Sequence, residues 1–101
     1  MKPMEQKRTA IENGRRVIRI EAEAVAALEG RIEKSFSEAV ELILVCRGRV
    51  VVTGVGKSGI MARKIVGTLN STGTPALFLH PGDALHGDLG MVRKEDVVVC
   101  L

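Results

Sequence analysis

The sequence predicts an α/β fold, a small parallel sheet with flanking helices, and three observations predict it. Apolar residues recur at helical spacing through the first third of the chain. Runs at Val50 to Thr53, Ala76 to Leu79 and Asp96 to Leu101 are β-branched or apolar and short, as buried strands are. A helix-like stretch separates the first two runs, and strand, helix, strand at that spacing is a parallel βαβ unit. With 101 residues, 46% hydrophobic and 27% charged, the chain has the size and balance of one soluble globular unit.

Taken in order, Ala10, Ile11, Val17, Ile18, Val25, Leu28 and Ile32 mark one long amphipathic helix, with irregularity expected at Gly14 and Gly30. Ser35 and Glu38 have the spacing of a capping box, so a second helix is expected to start at Ser35 and to end near Gly48 as its C′ glycine. The first strand follows, then a glycine loop at residues 54–59. A helix is expected from about Gly59 to Ser71 with Gly73 as its stop, and then the second strand. Residues His80 to Gly90 are rich in turn formers and read as a loop before the third strand. The division is therefore a helical lead-in over residues 1–48 and a βαβ portion over residues 49–101. Three strands ending at the last residue leave an apolar sheet edge open, which reads as the front of a larger α/β domain.

Composition narrows the function. The net charge of +3 rests partly on Lys7, Arg8, Arg15, Arg16 and Arg19, but acidic residues are interspersed and aromatics are 2%, so a solvated helix face is favoured over a nucleic-acid arm. No run approaches signal-peptide or bilayer-spanning length, so a membrane is not expected and the cytoplasm is. Cys46 and Cys100 sit in apolar stretches and read as reduced core thiols.

The chemistry concentrates at Gly54-Val55-Gly56-Lys57-Ser58-Gly59, between a strand and a helix. Glycines there let backbone N–H groups close around an anion at the positive end of the helix dipole, where a lysine is disfavoured unless an anion meets it. A Walker A loop would need glycine where Val51 stands. The G-x-G-x-x-G spacing fits a dinucleotide fold, yet the second strand ends Phe78-Leu79-His80 without the acid a ribose hydroxyl requires. Ser71 to Pro75 and His80, Asp83, His86 and Asp88 are expected to gather with the loop at the carboxyl ends of the strands. A metal on His80 is conceivable, although a spacing of six residues from His86 is not a diagnostic ligand pattern.

The loop, Ser71-Thr72-Gly73-Thr74-Pro75 and above all the segment His80-Pro-Gly-Asp-Ala-Leu-His86-Gly-Asp-Leu-Gly-Met-Val92 together resemble the N-terminal part of the sugar isomerase (SIS) domain of arabinose-5-phosphate isomerases. The resemblance covers essentially the whole chain. It implies an enzyme family that interconverts D-ribulose 5-phosphate and D-arabinose 5-phosphate, feeding synthesis of Kdo for lipopolysaccharide. It also implies a homo-oligomer, typically a tetramer, and no required cofactor. By the same resemblance Lys57 matches the active-site lysine, with Gly56 and Ser58 beside it in the substrate loop. Gly73 and Thr74 match a substrate-contacting pair, His80 a substrate-contacting histidine able to bind an inhibitory zinc, and His86 a second substrate-contacting histidine. The family's serine-rich phosphate loop, its acidic catalytic candidates and its paired CBS domains have no counterpart within residues 1–101. An incomplete, inactive site is therefore the expectation, with a non-catalytic sugar-phosphate-binding or oligomerisation module as the alternative.

Overall fold

A computed structural model of the chain describes residues 3–101, with side chains from Thr9 onward, so Lys7 and Arg8 of the basic cluster fall outside the described side chains. The chain divides into two compact units, residues 1–37 and 38–101. The first unit carries α1 (Pro3–Ala27) and a 3-10 turn at Leu28–Arg31. The expected irregularity at Gly30 is that turn, whereas Gly14 lies inside continuous helix. Val17, Ile18, Ala22, Val25 and Ala26 form an exposed apolar groove along α1.

Helix α2 (Lys34–Leu44) begins before the expected cap. Phe36 and Ser37 both donate their N–H groups to the Glu33 carbonyl, at 3.1 and 3.4 Å, which moves the helix start to Glu33 and leaves Ser35 inside the first turn. Gly48 is not a C′ glycine either, because its backbone is not left-handed. It is needed for close approach: a Cβ there would run into the Asp96 carboxylate and the Glu95 carbonyl, to which the Gly48 N–H donates at 3.0 Å.

The second unit is built on β1 (Val50–Thr53), α3 (Lys57–Ser71), β2 (Ala76–Leu79), α4 (Pro81–Leu85) and β3 (Val97–Cys100). The three strands are parallel in the order β2-β1-β3, with Val50 opposite Ala76 and Val97, and Thr53 opposite Leu79 and Cys100. Paired residues share a face, so Val50, Val52, Ala76, Phe78 and Val99 look one way. Ala62, Val66 and Leu69 of α3 and Ile43 of α2 pack on that face and close the core. Central position buries all three valines of β1, including Val51 on the opposite face. On β3, burial alternates, and Val98 and Cys100 are exposed. The expectation of a core thiol fails for Cys100, because its face of β3 has little over it. Cys46 is half-buried, and its Sγ–H donates to the Glu95 carbonyl at 3.3 Å.

At the amino end of the sheet, Asp96 ties β3 to β1. Its carboxylate accepts the Arg49 N–H at 2.7 Å, the Arg93 N–H at 2.8 Å and the Arg49 guanidinium at 3.2 Å. The two backbone donors, then the guanidinium, hold its pKa down at about 2.

Candidate functional site

Helix α3 starts two residues earlier than expected, at Lys57, because Gly56 adopts φ +60° and turns the chain straight from β1 into the helix. The first helical bond runs from the Ile60 N–H to the Gly56 carbonyl at 3.2 Å. Only glycine adopts that backbone without strain. The other two glycines serve proximity: a Cβ on Gly59 would stand 2.7 Å from the Gly54 carbonyl oxygen, and one on Gly54 2.8 Å from the Ser58 backbone. The loop thus lies flat against the first turn of the helix. No side chain caps that turn and no acidic residue lies in it, so the positive end of a 15-residue helix is left for an exposed anion. Lys57, exposed, is its first residue.

Across the carboxyl end of the sheet, the Thr53 hydroxyl donates to the Leu79 carbonyl at 2.5 Å and joins the ends of β1 and β2. The chain then enters α4, a short helix within the segment whose turn formers predict a loop. His80 is its N-cap, with Nδ1 accepting the Gly82 N–H at 3.0 Å, and Pro81 occupies the first helical position, where its missing N–H costs nothing. His86 ends the helix, donating its N–H to the Asp83 carbonyl at 3.0 Å. Gly87, at φ +118°, turns the chain into a 3-10 turn at Asp88–Met91.

With strand order β2-β1-β3, the connections on either side of β1 diverge, and open parallel sheets bind ligands beyond the carboxyl ends at such a switch point. A cavity of about 510 Å³ lies at this end and along the open face of the sheet, lined by Thr53, Leu79, Val98 and Cys100 of the strands and by Ser58 and Leu101 beyond them. Lys57, His80 and His86 are not among its lining residues, although Lys57 and His80 are chain neighbours of residues that are.

Gly73 and Thr74 are elsewhere. Since α3 runs back against the strands, its C-terminus and residues 72–75 return to the amino end of the sheet, where the Val50 N–H donates to the Pro75 carbonyl at 2.8 Å. The expected gathering of this segment with the glycine loop is corrected accordingly: the 15 residues of α3, about 22 Å of helix, separate the two. Gly73 itself does stop the helix, with φ +95°.

Arg63 was not singled out from the sequence. Its guanidinium stands 4.3 Å from the centre of the Phe78 ring, which meets the His80 ring edge-on at 6.4 Å between centroids. An arginine on an amphipathic helix carries no local signal of such a contact.

Among the described residues no three His, Cys, Asp or Glu side chains are grouped to hold an ion, and the Nδ1 lone pair of His80 is already engaged.

The SIS domain family matches residues 43–101, which span the last two residues of α2, the whole sheet, α3 and α4. The chain belongs to the SIS domain family. Arabinose 5-phosphate isomerase KdsD of Pseudomonas aeruginosa is 50% identical over 98 residues, 97% of this SIS chain and 30% of that protein. Arabinose 5-phosphate isomerase GutQ of Escherichia coli is 49% identical over 86 residues, 85% of this chain and 27% of that protein. A solved structure of an Escherichia coli CFT073 protein in complex with arabinose 5-phosphate superposes with a TM-score of 0.85 at 40% identity, covering 99% of this chain and 51% of that one. The SIS chain thus spans about 30% of the length of the KdsD sequence it matches. Among the described residues, no helix is long and apolar enough to cross a membrane.

Proposed function

We propose that this SIS chain is a portion of an arabinose 5-phosphate isomerase and binds a pentose phosphate at the switch point beyond β1. The observation that carries the reading is the 50% identity to KdsD along 97% of the chain. The site chemistry agrees with it. The open first turn of α3 suits a phosphate or another ligand oxygen, and Lys57 adds a positive charge beside it.

Interconversion of D-ribulose 5-phosphate and D-arabinose 5-phosphate removes a proton from the carbon beside the carbonyl. It passes through an enediolate and returns a proton to the neighbouring carbon. The enediolate needs a cation or donors already in place, a role Lys57 fills from its helix start. His80 and His86 cap the two ends of α4, which follows the carboxyl end of β2 as the glycine loop follows that of β1. Gly73 and Thr74 are a helix length from Lys57, so within one chain they do not meet the same small ligand as Lys57. A cytoplasmic role in supplying lipopolysaccharide precursors follows from the same reading.

The test is an isomerase assay with D-ribulose 5-phosphate on the purified chain, with Lys57→Ala alongside. Turnover that disappears in the variant supports the assignment. Equal turnover in both removes Lys57 from the chemistry. Binding of arabinose 5-phosphate without turnover favours a sugar-phosphate-binding module.

A further inference from the structure

We infer that capping of α4 fixes His80 as the tautomer protonated at Nε2, so that it meets a sugar phosphate as a hydrogen-bond donor and is neither a proton acceptor nor a metal ligand in this conformation. The donor role rests on the function proposed above; the tautomer does not.

The ring is held by two contacts. Its Nδ1 accepts the Gly82 N–H at 3.0 Å, closing a turn over the start of α4. Gly82 permits this approach, since a Cβ there would stand 3.0 Å from both Nδ1 and Cε1 of the ring. Phe78 meets the ring edge-on from the end of β2 and is itself held under the Arg63 guanidinium. A histidine nitrogen that accepts a hydrogen bond carries no proton, so in the neutral imidazole the proton is on the other nitrogen. Nε2 then has a hydrogen to give and no in-plane lone pair.

The acceptors a sugar phosphate offers, phosphate, hydroxyl and carbonyl oxygens, are the partners that Nε2–H suits. His80 is exposed, so a ligand oxygen can reach it. For Nε2 to take a proton or a metal ion, the ring must either become an imidazolium or move its proton to Nδ1. In both forms Nδ1–H would face the Gly82 N–H, and the cap is lost. Zinc on His80 and a capped α4 therefore exclude each other.

The chain contains only these two histidines, so the ring signals are assignable with one variant. Two-bond proton–nitrogen NMR correlations on the histidine-labelled 101-residue chain, above pH 8, should show His80 protonated at Nε2 alone. A population protonated at Nδ1 would overturn the inference. Two substitutions then separate the nitrogens in titrations with arabinose 5-phosphate. His80→Asn keeps an acceptor at the Nδ1 position and removes the donor; it should unfold like the parent and bind about tenfold more weakly. His80→Gln places an amide donor near the Nε2 position without the cap; it should be less stable yet bind within about threefold of the parent. The opposite ranking overturns the donor role. If arabinose 5-phosphate fails to bind the parent chain, the proposed function falls, and the tautomer alone decides the inference.

Discussion

Gly59→Ala is the substitution in which local propensity and packing oppose each other most clearly. Gly59 lies in the first turn of α3, and alanine in a helix is favoured over glycine by up to about 1 kcal/mol. The added Cβ, however, would stand 2.7 Å from the Gly54 carbonyl oxygen, where ordinary contacts begin at 3.4 Å. The obstacle is backbone of the phosphate-type loop and not the tip of a flexible side chain, so relief requires the loop to move. Overpacking of this kind costs about 1–3 kcal/mol, which outweighs the helix gain and leaves a net loss of about 1 kcal/mol. Gly67→Ala is the internal control. It lies in the same helix with nothing within 4 Å of its Cβ position, so it should gain about 0.5–1 kcal/mol. The two variants should differ by about 2 kcal/mol in urea unfolding followed by circular dichroism, or about 10 °C in melting temperature. If Gly59→Ala proves as stable as Gly67→Ala, the loop does not lie against the helix as described.

Lowering the pH tests the Arg49–Asp96 tie. The Asp96 pKa is depressed from 3.8 to about 2 in the fold, so its stabilising contribution is complete above pH 4 and drains away as the pH falls through 2. Asp96→Asn should lower stability at pH 7 and flatten the acid limb between pH 4 and 2; an unchanged acid limb would mean the carboxylate is not held as described. Lys57→Ala should leave the melting temperature unchanged or slightly raised, since it removes a cation from a helix N-terminus, while weakening inorganic phosphate binding. A large drop in stability would assign Lys57 to the fold instead. Thr53→Val removes the donor to the Leu79 carbonyl and should cost about 1 kcal/mol in denaturant unfolding. No measurable loss would show that this bond does not join β1 to β2.

The strands were the legible part of the fold because burial on both faces writes itself as unbroken apolar runs, and Val50 to Thr53 and Ala76 to Leu79 were read to the residue. Helix starts were less so. Ser35 has the residue type and spacing of a cap, but the backbone bonds to the Glu33 carbonyl take the helix past it. Helix α4 was hidden for the opposite reason: Pro81, Gly82 and Asp83 are turn formers individually, and the residue that caps them is a histidine, which cap preferences do not feature. The glycine loop was found at the right place, since its spacing encodes both a positive φ at Gly56 and close approach at Gly54 and Gly59. The polar character of Gly73 and Thr74 suggests the carboxyl end of the sheet, but the direction of α3 returns any segment after it to the amino ends of the strands. The exposure of Cys100 depends on what lies over its face of β3, which a local apolar pattern does not contain.

The central claim is that a pentose phosphate binds at the switch point beyond β1. A titration of the nitrogen-15-labelled chain with arabinose 5-phosphate, followed through backbone amide shifts, tests it most directly. The account predicts saturable shifts at the amides of residues 54–59 and around His80 and His86, largest in the first turn of α3 and absent in Lys57→Ala. Saturable shifts confined to the amino end of the sheet, around Arg49 and Asp96, or no shifts at all, would contradict it.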